Sequence, residues 1–346
     1  MAINKVSGAT QVSMKQRIIT GIILALVGVP CVILGDWLFV GLAIFVTIVG
    51  VYEMLHITEK KYPWYIWLTT YIFVFTFVFW VFFKKPINDQ YIAVYNPNFD
   101  FFDNRFLMTD IRISTTGFAF YIALLITYSI ISHKLDLNDI FYLFSMSLFL
   151  GITIQSILFL RFCPAGLPKV ISTAFEYDTI SSAALICYVF AGVFLNDIFA
   201  YFVGVLFGKH KMAPIISPKK TWEGFVGGVV FSTIITFAVV LIADLGFNFP
   251  ILDGIIDAQH WYYVLPISLF ISISAVIGDL MFSLIKRTYN IKDFGNIFPG
   301  HGGVLDRFDS LFITALIVAI LIIFIAYKPF DSVVNISNMI SVVKGV

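Results

Sequence analysis

Residues 180–207 have the sequence ISSAALICYVFAGVFLNDIFAYFVGVLF, a long apolar stretch with a single charged side chain, Asp197. A helix needs about 20 apolar residues to cross the roughly 30 Å hydrocarbon core of a bilayer, and this stretch exceeds that length. Its apolar residues run continuously and do not alternate with polar ones, so the pattern favours a helix over a strand of a barrel. The stretch therefore predicts a membrane-spanning helix.

Eight further apolar runs of similar length predict an all-α integral membrane protein, a polytopic bundle of about nine transmembrane helices. The first run follows Lys15 and Arg17, as in a signal peptide, but it lacks a small-residue cleavage site, which favours a retained anchor. The nine predicted spans are residues 18–35, 37–55, 64–83, 113–131, 139–160, 180–207, 222–243, 261–285 and 310–327.

The composition of the whole chain supports this class. Of its 346 residues, 60% are hydrophobic and 12% are charged. A soluble domain has about 45–50% apolar and about 25% charged residues, so a water-soluble globule is excluded. The net charge of +1 gives no indication of nucleic-acid binding. The three cysteines, Cys31, Cys163 and Cys187, are too scattered to predict disulfides or a zinc site.

The distribution of Lys and Arg predicts that the N-terminus is inside and the C-terminus outside. In that orientation 14 of the 22 basic residues fall in inside segments, most densely between Gly208 and Lys220. Cytoplasmic loops carry such an excess. We expect two regions: residues 1–175, N-terminal transmembrane helices with an outside loop at 84–112, and residues 176–346, which carry the chemistry. In the first region, Glu53 and His56 lie one turn apart and are interpreted as an ordinary interfacial pair.

The sixth span contains a polar pair, Asn196 and Asp197, in the middle of its apolar run. Small residues at intervals of four, including Gly192 and Gly204, put Asn196 on a face that another helix can approach closely. Two interpretations remain open. The face is either a packing seam with a buried polar contact or one wall of a polar cavity into which Asp197 and Tyr201 point.

Residues 217–224, SPKKTWEG, precede the seventh span. Ser217 followed by Pro218 is typical of an N-cap and a first helical residue, so we expect a helix to start there. Lys219 and Lys220 would then lie in the first turn, where the helix dipole disfavours cations. The pair suits a bound phosphate better, with a plain positive-inside loop as the alternative.

The last two spans carry acidic side chains at their inner ends. Asp279, Ser283, Lys286 and Arg287 share one helical face, and Asp279 is too far from Lys286 for direct contact, so something polar should lie between them. Charged groups within a span are costly and indicate function.

The segment that follows contains a glycine turn and two more acids, Asp306 and Asp309. Glycines at 300, 302 and 303 permit a tight turn and close approach of the backbone to a ligand. Carboxylates without clustered Cys or His favour Mg²⁺ or Mn²⁺ over zinc. Such a metal beside lysines and arginines is the equipment of phosphoryl or nucleotidyl transfer.

These residues resemble the signature of the phosphatidate cytidylyltransferase (CDP-diacylglycerol synthase) family. The resemblance rests on three groups that together span residues 283–309. They are Ser283-Leu-Ile-Lys286-Arg287, Lys292-Asp293 and His301-Gly302-Gly303-Val-Leu-Asp306-Arg307-Phe-Asp309. SPKKTWEG and the Asn196-Asp197…Ala200-Tyr201 segment agree with it upstream.

The resemblance implies that CTP and phosphatidate give CDP-diacylglycerol and pyrophosphate, with Mg²⁺ as the cofactor and a second cation left open. It implies Asp279 and Asp306 as metal ligands. The candidate catalytic residues are Asp279, Asp306, Asp309, Lys286, Arg307 and His301. The candidate substrate-binding residues are Lys219, Lys220, Ser217, Arg287, Lys292, Asn196, Asp197, Tyr201, Gly302 and Gly303.

The expected surroundings are a bilayer with the active site facing the cytosol, no nucleic acid, and a homodimer as a permitted assembly. The sequences SPKKTWEG and MKQRIITG, the second of which lies near the N-terminus, favour a bacterial plasma membrane over the endoplasmic reticulum. Two other functions remain as alternatives. One is a CTP-dependent polyprenol or phytol kinase. The other is an ion-coupled transporter, which would show inverted repeats, whereas the polar motifs here occupy one half of the chain.

Overall fold

The computed structural model describes residues 8–58, 60–83, 104–132, 135–162, 182–247, 251, 262, 264–298, 300 and 302–327. Within them the chain forms nine α-helices and one antiparallel hairpin of two strands. The helices are α1 Gly8–Leu34, α2 Asp36–His56, α3 Trp64–Phe83, α4 Asn104–Ser132, α5 Leu137–Phe162, α6 Ser182–Phe207, α7 Trp222–Leu241, α8 Val264–Thr288 and α9 Leu305–Tyr327. The strands are β1 Lys211–Ala213 and β2 Ser217–Thr221.

Each predicted span overlaps one of these helices, so the helical membrane class is confirmed for the described residues. Five helices are long and apolar enough to cross a bilayer over the ranges Trp37–His56, Leu137–Arg161, Ala183–Phe207, Trp222–Leu241 and Val264–Thr288. The count of nine spans and their orientation stay predictions. Most of the predicted outside loop, residues 84–103, lies outside the described residues, and the chain is helical from Asn104 onward.

The predicted helix start at Ser217 is wrong, because residues 217–221 form strand β2. Helix α7 begins at Trp222, and its N-cap is Thr221, whose Oγ1 accepts a hydrogen bond from the Gly224 N–H at 3.1 Å. A Ser-Pro pair can start a helix, but it can equally lie in a short edge strand. The backbone N–H that proline lacks is not needed for pairing there. The two lysines therefore lie on the hairpin and not in a helical turn.

Helices α6 and α7 approach closely because glycines line the contact. A Cβ on Gly228 would lie 2.8 Å from the Ala200 Cβ and 2.9 Å from the Asn196 Oδ1, and one on Gly227 would lie 2.6 Å from Val203. Close backbone approach through small residues is a common way for helices to associate in lipid. The small-residue face predicted for α6 is therefore a packing face.

Hydroxyl groups join the helices of the C-terminal half. Ser232 on α7 donates to the Gly192 carbonyl of α6 at 2.9 Å and accepts from Ser272 of α8 at 3.1 Å. Ser274 of α8 donates to Thr314 of α9 at 3.3 Å. Hydrogen bonds of this kind connect helices where no water competes, so they fix the relative positions of α6 to α9.

Contacts between the N-terminal and C-terminal halves join the ends of several helices on one side of the bundle. The Tyr142 hydroxyl of α5 donates to the Met54 carbonyl near the end of α2 at 2.9 Å, and the Tyr142 ring packs on Tyr289 after α8 with 5.0 Å between centroids. Lys60, after α2, pairs with Asp139 in the first turn of α5 at 2.7 Å. The ends of α2 and α8 thus lie beside the start of α5.

Candidate functional site

Asp279 on α8 faces the hairpin. Its Oδ2 lies 2.5 Å from the Lys220 Nζ, and its Oδ1 accepts a hydrogen bond from the Ser283 hydroxyl at 3.2 Å. Both charged side chains are partly exposed, 25% for Lys220 and 28% for Asp279. Ser283 therefore contacts Asp279 from one turn further along α8, and Lys220 supplies the counter-charge from another element.

Asp306 lies in the first turn of α9 and is almost fully enclosed. Its Oδ1 lies 2.7 Å from the Nζ of Lys286, which is itself buried. Its Oδ2 accepts backbone N–H groups from Phe294 at 2.7 Å and from Gly303 at 3.0 Å. A carboxylate with all these partners is fixed in orientation, and it fixes the segment between α8 and α9 in return.

Two further carboxylates add negative charge near Asp279. Asp197 on α6 lies within electrostatic range of Asp279 and Lys220, and Asp309 on α9 lies within range of Asp279 and Lys286. The Asp309 Oδ1 accepts from the backbone N–H of Ser310 at 2.7 Å. Acids from α6, α8 and α9 thus lie within electrostatic range of one another. In the described part of the chain, no three acidic, His or Cys side chains are close enough to enclose a metal ion.

The two neighbouring polar residues of α6, Asn196 and Asp197, lie in different environments. Asn196 is fully buried in the contact with α7, and neither of its side-chain polar atoms has a hydrogen-bond partner among the described residues. Asp197 is exposed, and Tyr201 is 67% exposed on the outer face of α6. Asn196 therefore belongs to the packing seam, whereas Asp197 and Tyr201 lie where a lipid can reach them.

The remaining basic candidates lie around the hairpin and the end of α8. Lys219, Lys292 and Arg307 are exposed, and Ser217 is half-buried in β2. Arg287 is held by the backbone, because its guanidinium donates to the Ile216 carbonyl at 3.2 Å and to the Ile291 carbonyl at 3.1 Å. Arg287 therefore ties the hairpin to α8. His301 lies outside the described residues.

The predicted glycine turn is present before α9. Gly302 has a φ of 81°, a left-handed conformation that side chains disfavour, and its carbonyl accepts from the Phe298 N–H at 3.0 Å. Gly303 gives its N–H to Asp306. These glycines shape the backbone around Asp306, and no substrate contact follows from their geometry alone.

Glu53 is a site residue that sequence reasoning missed. It does not pair with His56, whose ring stacks on Tyr52 with 4.4 Å between centroids. Instead its carboxylate accepts the backbone N–H groups of Val304 and Leu305, both at 2.9 Å. Its partners are 251 and 252 residues away in the chain, so no local pattern signals the contact.

Comparison with known proteins identifies relatives of this chain. A model of the cytidylyltransferase family matches residues 15–325, most of the chain. A Bacillus subtilis protein named phosphatidate cytidylyltransferase is 31% identical over 319 residues, which cover 90% of this chain and 99% of the relative.

Staphylococcal relatives with the same name match over a shorter range. The Staphylococcus aureus (strain COL) protein is 40% identical over 164 residues, which cover 47% of this chain and 58% of the relative. The Staphylococcus haemolyticus protein is 41% identical over 138 residues, 40% of this chain and 48% of the relative. The chain thus matches about half the length of these relatives and nearly all of the Bacillus protein. The matched range includes the carboxylates and lysines described above, and the chain belongs to the cytidylyltransferase family.

Proposed function

We propose that this protein transfers the cytidylyl group of CTP to phosphatidate, giving CDP-diacylglycerol and pyrophosphate. Family membership and the names of its relatives support this assignment. The structural observation that carries it is the pair of lysine–carboxylate contacts, Lys220 with Asp279 and Lys286 with Asp306, at the ends of apolar helices. A site of this kind combines an anion-binding surface with access from the bilayer.

The two lysine–carboxylate pairs suit the main obstacle of the reaction, which is repulsion between negative charges. A phosphate oxygen of phosphatidate attacks the α-phosphorus of CTP, and the bond to the β-phosphate oxygen breaks to release pyrophosphate. The nucleophile is already an anion at neutral pH, so the obstacle is repulsion between two anions and the charge that builds on the leaving group. Lysines held in place can lower that barrier through positioning and charge neutralisation. Lys220 is partly exposed and can meet a phosphate directly, whereas Lys286 is buried and acts through Asp306.

The acidic side chains suit a divalent cation as an oxygen donor set. Asp197, Asp279 and Asp309 come from three helices into electrostatic range, and Lys220 is the basic residue paired directly with one of them. This excess of negative charge and the absence of sulfur or clustered imidazole in the group favour Mg²⁺. We propose Asp279 and Asp306 as its ligands, as the family resemblance implies. Asp279 and Asp306 would then exchange their contacts with Lys220 and Lys286 for the cation. Bound Mg²⁺ would neutralise phosphate charge and orient the triphosphate.

The lipid substrate would approach from the exposed side of α6. Phe194, Tyr201 and Phe202 are all more than half exposed there, which suits contact with acyl chains. Asp197 and Tyr201 lie on this face and would meet the phosphatidate headgroup. CTP would enter from the cytosol beside the hairpin, where Lys219, Arg307 and Lys292 are exposed. In this proposal the membrane is the bacterial plasma membrane, and a homodimer stays a prediction.

Product analysis tests the assignment. Purified protein with CTP, phosphatidate and Mg²⁺ should release pyrophosphate and form CDP-diacylglycerol in equal amounts. Release of CDP together with a phosphorylated lipid would instead identify a kinase. Absence of any CTP-dependent product from correctly folded protein would contradict the proposal.

A further inference from the structure

Glu53 is a buried carboxylate that reaches from the N-terminal half of the chain to the start of α9. It lies in the last turn of α2 and is 1% exposed. Its Oε1 accepts the Val304 N–H and its Oε2 accepts the Leu305 N–H, each at 2.9 Å. The first N–H groups of a helix have no partner within the helix, and that end carries partial positive charge. Glu53 supplies both the acceptors and the opposite charge from a different helix.

The segment between α8 and α9 is shaped to enclose this carboxylate. A Cβ on Gly295 would lie 2.6 Å from the Glu53 Oε1, and one on Gly303 would lie 2.6 Å from the Glu53 Cδ. Real Cβ atoms do not approach other atoms so closely. Glycine at both positions therefore lets the backbone close around the carboxylate from two sides.

The same segment also holds Asp306. Leu305, which donates to Glu53, directly precedes Asp306, and Gly303, which packs on Glu53, donates its own N–H to the Asp306 Oδ2. Of three successive N–H groups, that of Gly303 therefore binds Asp306, and those of Val304 and Leu305 bind Glu53. With Oδ2 held in this way, the Asp306 Oδ1 is directed at the Lys286 Nζ.

A residue needed only to cap α9 would not have to be a buried carboxylate from another helix. Glu53 and Asp306 are like charges within electrostatic range of each other, which is unfavourable in a buried place. In the described part of the chain, Glu53 forms no ion pair, and its charge is met by backbone N–H groups. Serine, threonine or aspartate at the helix start is the usual cap.

We propose that Glu53 is a positioning residue for the transfer site: it fixes the first turn of α9 and thereby the orientation of Asp306 toward Lys286. This inference rests on the proposed function in one respect only, namely that Asp306 and Lys286 act in the reaction. It assigns a role at the site to α2, although the sequence motifs all lie in the C-terminal half.

Glu53→Gln is the direct test, because it keeps the size of the side chain and replaces one acceptor oxygen by an NH₂ group that cannot accept. Asp139→Asn is the matched control. Asp139 is also a buried carboxylate of the N-terminal half, it accepts the Asp136 N–H at a helix start at 3.0 Å, and it pairs with Lys60. Its hydrogen bonds lie at α5 and not at α9.

Two measurements separate positioning from stability. Hydrogen exchange of the 294–306 segment should become faster in Glu53→Gln and stay unchanged in Asp139→Asn. The kcat for CDP-diacylglycerol formation should fall about 10–100-fold in Glu53→Gln, as for removal of other groups that orient a ligand, while KM for CTP changes less than about threefold. Glu53→Asp keeps the charge with a shorter reach and should recover part of the kcat.

Three results would overturn the inference. One is a normal kcat in Glu53→Gln despite faster exchange, which would leave Glu53 a structural cap. Another is unchanged exchange in that segment. The third is failure of both Glu53 variants to accumulate in the membrane while Asp139→Asn accumulates, which would assign Glu53 to folding. If wild-type protein forms no CDP-diacylglycerol, the proposed function fails, and the exchange comparison still tests the contact.

Discussion

Adjacent residues of one motif have different environments. Lys219 and Lys220 both lie on β2, but Lys219 is exposed, whereas Lys220 is half-buried against Asp279. Alternation of side chains along a strand explains the difference, because neighbouring residues point to opposite faces. Of the two, Lys220 is the one that the structure links to a predicted metal ligand.

We therefore expect Lys220→Met to reduce kcat/KM for CTP about 10–100-fold, since a hydrogen bond to a charged group contributes about 1.5–3 kcal/mol. Lys211→Met is the control, because Lys211 is an exposed lysine on the same hairpin. It should change kcat/KM less than about twofold, as exposed charges contribute little. Equal loss in the two variants would contradict the role given to the Lys220–Asp279 pair.

Gly303→Ala should destabilise the protein by about 1–3 kcal/mol, the usual cost of overpacking, because the added Cβ overlaps the Glu53 carboxylate. The measurement is the thermal midpoint of the detergent-solubilised protein. In a Glu53→Asp background the same substitution should cost less, since the shorter side chain withdraws from Gly303. Additive effects in this double-mutant cycle would contradict the contact.

Local sequence patterns predicted some of these residues and missed others. Asp279 and Asp306 stood out because charge near a membrane span needs a reason. Their separate lysine partners were not predicted, since Lys220 reaches Asp279 from a distant strand. Helical spacing pairs Glu53 with its neighbour His56, because it contains no information about a contact with α9.

At the scale of elements, the contact between α6 and α7 determines where Asp197 lies. Glycines on α7 let the helices approach until Asn196 is enclosed, and the next residue, Asp197, is then exposed within electrostatic range of Lys220 and Asp279. The small-residue spacing of α6 was sufficient to predict a packing face. It could not distinguish a seam from a cavity wall, because that depends on the residues of α7.

We expect Gly228→Ala to separate α6 from α7, because its Cβ would lie 2.8 Å from the Ala200 Cβ. The thermal midpoint should fall by an amount that corresponds to about 1–3 kcal/mol, and cytidylyl transfer should weaken as Asp197 moves. Gly41→Ala on α2 is the control, since nothing lies within 4 Å of its added Cβ. It should leave the midpoint unchanged or raise it, because alanine favours helix. The same drop in both variants would contradict the packing described.

At the scale of the whole molecule, the nine helices of the described residues, five of which are long and apolar enough to cross a bilayer, could be predicted from their apolar runs. The hairpin could not, because SPKKT has no strand-like alternation and its start resembles a helix cap. The sequence also could not predict that ends of α2, α5, α8 and α9 meet at one end of the bundle, because these contacts depend on packing between distant segments.

Orientation is a prediction that labelling can check. Ile215 lies at the tip of the hairpin and is 89% exposed, and the basic segment around it is predicted to be cytoplasmic. In a variant without the native cysteines, Ile215→Cys should react with an impermeant maleimide in inverted vesicles and not in right-side-out vesicles. The reverse pattern would contradict the N-terminus-inside orientation and the cytosolic site.

The central claim is that carboxylates at the inner ends of α8 and α9 carry out cytidylyl transfer with a divalent cation. The most direct measurement is the rate of pyrophosphate release from CTP and phosphatidate by Asp306→Asn compared with wild type, at equal amounts of folded, membrane-inserted protein. We expect the variant to lose at least about 100-fold in rate, the effect of about 2.7 kcal/mol in transition-state stabilisation, and to have a lower thermal midpoint than wild type, because the buried Lys286 loses its counter-charge. A wild-type rate in the variant would contradict the account.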